Sequence, residues 1–186
     1  MTPQTLDLLV DSPGGTASPA TGQAAAVPRA SQVRHVPAGA GPAYWGPGEL
    51  MTFLMTGEQT GGAFFLAEIS VVPGGGTPPH IHHREDESFH VLEGSLTVHV
   101  GGNTIRASAG DSVFLPRGIA HSFENSGGRS ARALVVSTPA GLEGFFAEVF
   151  EAAFDRSAPR PLPSRELIAR AQEASPRYGL ELLPPA

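Results

Sequence analysis

Between Tyr44 and Gly141 short apolar runs alternate with clusters of turn residues. LMTFLMT, AFFLAEISVV, ESFHVLEG, SLTVHVGG, NTIRASAG, DSVFLPRG, HSFEN and ALVVSTPAG are separated by segments such as GEQTGG and PGGGTPP. Runs of this length bounded by Gly, Pro, Asn and Asp predict strands and turns. So many short strands at close spacing predict an all-β sandwich or barrel. At about Gly141 the period changes. Leu142, Phe145, Phe146, Val149, Phe150 and Phe154 recur at i, i+3, i+4, i+7, i+8 and i+12, one apolar stripe along a helix that packs on the barrel. A second, more polar helix is predicted from Arg165 to about Ala174, with Ser164 as its N-cap, and the tail YGLELLPPA closes the chain. No repeat of either half is visible, so one site per chain is expected.

The first stretch has a different texture. Residues 1–40 are rich in Gly, Pro, Ala and Ser and carry little to bury, which predicts a flexible extension; TLDLLV within it is the one run suited to a short strand. The expected organisation is therefore an extension over 1–40, a barrel over 41–140 and a helical cap and tail over 141–186. A length of 186 residues suits one compact unit, and 23 Gly and 18 Pro favour turns over long helices.

Charge and cysteine usage narrow the chemistry. Net charge is -6, and all 12 basic side chains are arginines without a cluster, which argues against nucleic acid as a partner. There is neither a basic, apolar leader nor a run of the roughly 20 apolar residues that cross a bilayer, so a cytoplasmic protein with no membrane partner is expected. Arginine without lysine, in an Ala/Gly/Pro-rich chain, hints at a bacterial, GC-rich origin. With no cysteine, any metal must be held by nitrogen and oxygen.

Five of the seven histidines fall between residues 80 and 99, three of them in HIHH. In a strand alternate side chains share a face, so His80 and His82 can converge on one ion while His83 points away. After the turn REDE, Glu87, Phe89 and Val91 share a face. His121 follows the turn PRGIA and opens another strand, with Phe123 on its side. Three imidazoles and one carboxylate suit one divalent Fe, Mn, Co, Ni, Cu or Zn ion and leave positions open for water, substrate or dioxygen.

The spacing is specific. GGGTPPHIHHREDESFHVLEG, from Gly74 to Gly94, matches the first cupin motif, G(x)5HxH(x)4E(x)6G, and GDSVFLPRGIAHSFEN, from Gly110 to Asn125, matches the second, G(x)5PxG(x)2H(x)3N. The chain thus resembles the cupin superfamily, which implies a jelly-roll β-barrel with C-terminal α-helices packed against it and His80, His82, Glu87 and His121 as metal ligands. The run from Tyr44 through Gly62, the PPHIHHREDE segment, PAGLEGFF and RYGLELL further resemble the small single-domain proteins described as quercetin 2,3-dioxygenase-like. His90 departs from that pattern, where Tyr is expected, and by alternation it points away from the metal.

That resemblance implies a homodimeric, metal-dependent dioxygenase. A flavonol-like or related aromatic substrate would bind the metal through a deprotonated hydroxyl, Glu87 would take the proton as catalytic base, and O2 would open the ring with loss of carbon monoxide. Phe64 or Phe65, together with Phe89, Phe114 and Phe123, would form the substrate pocket. Two other readings stand beside it: a non-oxidative cupin enzyme, such as an isomerase or aromatic cyclase of a biosynthetic pathway, and a small-molecule-binding cupin without turnover. His83, His90 and His99 are expected at the surface, with Asp86 a partner for His83. Glu85 and Asp86 are expected in a solvated turn, Arg117 on the surface, and Phe145, Phe146 and Phe150 as barrel packing.

Overall fold

The computed structural model describes residues 33–157 and 164–184. TLDLLV and most of the expected N-terminal extension lie outside them. Twelve strands form two antiparallel sheets: β1 (Ala43–Gly46), β2 (Glu49–Met55), β3 (Phe65–Val71), β4 (Gly76–His82), β5 (Asp86–Glu93), β6 (Ser95–Val100), β7 (Asn103–Ser108), β8 (Ser112–Leu115), β9 (His121–Glu124), β10 (Ala131–Thr138), β11 (Glu151–Ala152) and β12 (Leu180–Leu182). One sheet runs β11-β1-β2-β3-β10-β5-β8 and the other β12-β4-β9-β6-β7. Facing antiparallel sheets with strands crossing between them make the expected jelly roll.

Alternation decides which side chains meet between the sheets. Along β3, Phe65, Ala67, Ile69 and Val71 are buried, and along β10, Ala131, Ala133, Val135 and Ser137. These meet Met51 and Phe53 of β2, Phe89 and Val91 of β5, and Leu96, Val98 and Phe123 of the other sheet in one core. Several inward residues on β3 and β10 are small, which leaves part of the interior unfilled.

The helices depart from expectation in instructive ways. GEQTGG is more than a turn: Gly57–Thr60 forms one helical turn, α1, with a capping box between Thr56 and Gln59, and Gly61 ends it at φ 66°. The apolar stripe predicts a helix reaching Phe154, yet α2 spans only Glu143–Val149. Phe150 is already extended, and Glu151 and Ala152 pair with Trp45 and Tyr44 of β1. Ladder pairing at the sheet edge thus overrides helical period, and Phe154 is left 99% exposed. The second helix, α3, spans Arg165–Ala174, and its Ser164 cap accepts the Leu167 amide at 3.0 Å. A 3₁₀ turn at Ser175–Tyr178 and Gly179 at φ 67° return the tail to the sheet as β12 beside β4. Leu142, Phe145, Val149, Leu167, Ala174 and Leu180 form a second apolar cluster under this cap. Among the described residues no helix is long and apolar enough to cross a membrane.

Candidate metal centre

His80 and His82 lie two apart on β4, and both are buried. His121 opens β9 directly opposite His80 in the ladder. Glu87 comes from the other sheet, on β5 between β8 and β10, so the four groups bridge the two layers. One extra residue in β4 between Thr77 and His80 forms a bulge at Pro78 and Pro79. Neither proline has an N–H to contribute to the ladder, and a bulge re-aims the side chains that follow it.

The ligating atoms of His80, His82, Glu87 and His121 all lie within 4.8 Å of one another. His80 Nδ1 is 2.8 Å from the Pro78 carbonyl and His121 Nδ1 is 3.0 Å from the Ile119 carbonyl. A carbonyl only accepts, so both Nδ1 atoms carry the proton and both Nε2 atoms present bare lone pairs to the centre. His80 Nε2 and His82 Nε2 are 3.1 Å apart, and Glu87 Oε2 is 3.4 Å from His121 Nε2 and 3.9 Å from His82 Nε2. The His121 Nε2 atom is buried without a hydrogen-bond partner. Converging acceptors repel unless a cation lies between them. A spacing near 3 Å is what neighbouring ligands about 2.1 Å from a common ion require. The donor set therefore fits one divalent ion.

Electrostatics at His80, His82 and Glu87 agree with that fit. Burial, then His121 and His82, push His80 down to about 4, and burial also lowers His82, so both are neutral at physiological pH and ready to ligate. For Glu87, burial favours the acid, but the three imidazoles outweigh it and hold the carboxylate below its ordinary value. His121 is raised: burial opposes protonation, and the adjacent Glu87 overcomes it.

The turns that aim these ligands come from the second motif. Gly118, at φ 79°, donates its amide to the His82 carbonyl at 2.7 Å, tying the turn before β9 to the end of β4. Asn125 is buried; its Nδ2 donates to the carbonyls of Val71 and Arg129, and its Oδ1 accepts the Gly127 amide. Asp86 accepts from the Arg117 backbone N, Nε and Nη2 at 2.9, 3.0 and 2.7 Å, which joins the start of β5 to the same turn.

The cluster opens onto a cavity of about 1060 Å³. His80, His82 and Glu87 form part of its wall, Phe89, Phe123, Met51, Ile69 and Val135 the barrel floor, and Leu142, Phe145, Phe146, Val149 and Phe150 the cap. A smaller cavity of about 270 Å³ near His35, Thr56 and Gln59 is lined by none of the four converging groups.

The expected aromatic pocket is therefore half corrected. Phe89 and Phe123 line the cavity, 5.1 Å apart between ring centres. Phe114 does not: Val113 and Leu115 are its buried neighbours, so alternation turns it outward, 61% exposed. Phe64 precedes β3 and is 37% exposed, whereas Phe65, on the opposite parity, is fully buried against Phe53 and Phe146. The cap aromatics Phe145, Phe146 and Phe150, expected mainly as packing, line the cavity as well.

His83, His90 and His99 are exposed as expected, but the partner of His83 and the place of Glu85 are not. His83 pairs with Glu181 of β12 at 2.9 Å, because Asp86 is committed to Arg117. His90 and His99 are exposed, hydrogen-bonded to Ser112 and Thr104. Glu85 is no solvated turn residue: it is 3% exposed, and burial raises its carboxyl to about 7. Extending the period of two backward from Glu87 places Glu85 on the same inward side, a signal the sequence carried. Glu49, buried in the cavity wall on β2, was not singled out either.

A two-sheet jelly roll with three histidines and a glutamate converging inside it is the architecture of a metal-binding barrel. Residues 67–137 match the family model described as "Cupin domain", which places the barrel in the cupin superfamily. It is 33% identical over 90 residues to the tetracenomycin polyketide synthase protein TcmJ of Streptomyces glaucescens, covering 48% of this chain and 58% of that protein. It is 35% identical over 80 residues to oxalate oxidase GF-2.8 of Triticum aestivum, covering 39% of this chain and 35% of that one. Among solved structures, a predicted oxalate decarboxylase of Thermotoga maritima aligns with 26% identity and a TM-score of 0.49, over 53% of this chain and 92% of that one. The chain spans about half the length of the first curated relatives it matches.

Proposed function

We propose that this chain is a metal-dependent cupin enzyme acting on a planar aromatic substrate, with oxygenative cleavage of a flavonol-like ring as the leading activity. The observation that carries the reading is the opening of the His80/His82/Glu87/His121 cluster onto an apolar, aromatic-walled cavity of about 1060 Å³. A cavity near the upper end of the usual ligand-pocket range, roughly 300–1,000 Å³, suits a multi-ring molecule far better than a two-carbon acid. Among the described residues no arginine lines it, so a small dianion would find no cationic partner there beyond a bound ion. This sets the chain apart from oxalate chemistry, although oxalate oxidases are among its relatives.

A divalent ion held by the four residues supplies Lewis-acid polarisation of a substrate oxygen and, where it is redox-active, a route for O2. The protein's own groups do the rest. Phe89 and Phe123 bound the flat face of the ring, and the cap aromatics close over it and exclude water. Glu87, held ionised by its neighbours, offers Oε2 as acceptor for the substrate hydroxyl proton. In the flavonol reaction both oxygen atoms of O2 enter the ring-opened product and one ring carbon leaves as carbon monoxide. The likeness to the polyketide synthase protein TcmJ supports a second reading, a non-oxidative cyclisation or isomerisation of a polycyclic aromatic in the same cavity.

Protein reconstituted separately with Fe, Mn, Co, Ni, Cu and Zn tests these readings. With quercetin, oxygen uptake matched by carbon monoxide release in at least one redox-active form is expected. Binding of the flavonol without oxygen uptake in any form would favour the non-oxidative reading.

A further inference from the structure

Of the three converging histidines, two are fixed from behind by main-chain carbonyls: His80 by Pro78 and His121 by Ile119. His82 has no such carbonyl. Its Nδ1 is buried without a hydrogen-bond partner, and 4.0 Å away is Glu85 Oε2, likewise buried without one. Both side chains are only 4% exposed. That separation lies about 1 Å beyond hydrogen-bond range.

We infer that Glu85 is the positioning residue of His82. Its carboxylate accepts the Nδ1–H and holds the ring with Nε2 toward the cluster, the task that main-chain carbonyls perform for the other two. The inference rests on the metal-centre reading and deepens it. Electron density donated through the ring makes His82 a stronger nitrogen donor than a carbonyl partner would make it, because its partner is a carboxylate. The placement also links the centre to the cap. A Cβ added at Gly141 would lie 3.7 Å from Glu85 Oε1, and Gly141 directly precedes Leu142 and α2. Glu143 fastens that corner by accepting the Gly141 and Gly57 amides at 2.8 and 2.6 Å. The carboxylate therefore sits between the metal ligand and the base of the helical lid.

Full-length protein with Glu85→Ala and Glu85→Gln, alongside the unsubstituted chain, provides the test, using Zn²⁺ with a competing chelator and Co²⁺ with its visible absorption. Partners of this kind alter metal affinity by roughly 10–100-fold, which is the loss expected for Glu85→Ala. Glu85→Gln keeps the shape and an accepting oxygen but no charge, so an intermediate loss is expected. ¹⁵N spectra of the Zn²⁺ form should place a slowly exchanging proton on His82 Nδ1, lost in Glu85→Ala. Thermal unfolding of the metal-free proteins separates positioning from packing, since a purely structural role would shift the midpoint and leave affinity unchanged. Unsubstituted affinity in the isosteric Glu85→Gln, with an unchanged Co²⁺ spectrum, overturns the inference alone. Failure of the unsubstituted chain to bind either ion overturns the metal-centre reading and this inference with it.

Discussion

The two walls of the large cavity are built on opposite principles. The barrel wall carries buried polar groups on strands, several of them held by a partner at defined distance: His80 and His121 Nδ1 by carbonyls, and Glu87 beside the His121 imidazole. The cap wall carries almost only apolar groups on α2 and α3, packed by Leu142, Phe145, Val149 and Leu167 without directional bonds. Strand pairing can fix donor positions to fractions of an ångström, while apolar packing tolerates exchange of shape for shape. Under the proposed function the strand wall is therefore the place for chemistry, and the helical wall the place for selecting what enters.

This contrast predicts that barrel-wall changes act on metal and turnover, and cap changes on stability and substrate. The largest effect is expected from His121→Ala or His80→Ala, which remove one of four donors. Bound metal after dialysis should drop from about one per chain to less than about one tenth, read by elemental analysis. Next comes Glu87→Gln, whose amide remains a weak ligand but cannot take a proton. Turnover should fall by about 10²-fold or more while much of the metal is retained. On the opposite wall, Leu142→Ala removes a fully buried side chain and should cost about 2–5 kcal/mol in denaturant unfolding, with unaltered metal content in the folded fraction. Equal loss of metal from the Leu142 and His121 variants would dissolve the distinction between the walls.

A smaller effect concerns pH in the metal-free protein. Glu85 titrates near 4.5 when unfolded and at about 7 when folded. Between those values the folded state binds more protons, so this group's contribution to stability falls as pH rises through the window. Glu85→Gln removes the term, and its urea midpoint should therefore gain on the unsubstituted protein between about pH 5 and 7.5. The smallest effect is expected from Asp86→Asn. Asp86 is held at about 2 by its hydrogen bonds and ion pair with Arg117, so its contribution is present above the ordinary carboxylate range and fades as pH falls toward that value. Loss of the clamp should appear as faster amide exchange in the turn before His121, with metal still bound.

Much of the architecture was readable in advance because it is written locally. Period-two runs bounded by Gly and Pro become β2, β3 and β5 to β10, although β4 begins inside PGGGTPP, expected as a turn, and Ser164 caps α3 where its spacing to the helix predicted. The two motif spacings bring His80, His82, Glu87 and His121 within 4.8 Å, because strand alternation and short turns leave those residues little freedom. The stripe ending at Phe154 misled for the opposite reason. Helical period is local, but the edge of β1 offered Glu151 and Ala152 a ladder that the residues around them do not announce.

The amino-acid order alone determined the barrel class, the four converging donors and the exclusion of sulfur ligands, since period, spacing and residue type are properties of neighbours along the chain. Tertiary structure alone decided which of Phe64 and Phe65 is inside, that Phe114 faces water, that Glu85 is buried behind His82, and that β12 and the cap enclose the cavity. Those outcomes depend on the register between strands distant in sequence. A slip of one residue exchanges the inner face for the outer, and no window along the chain contains both partners.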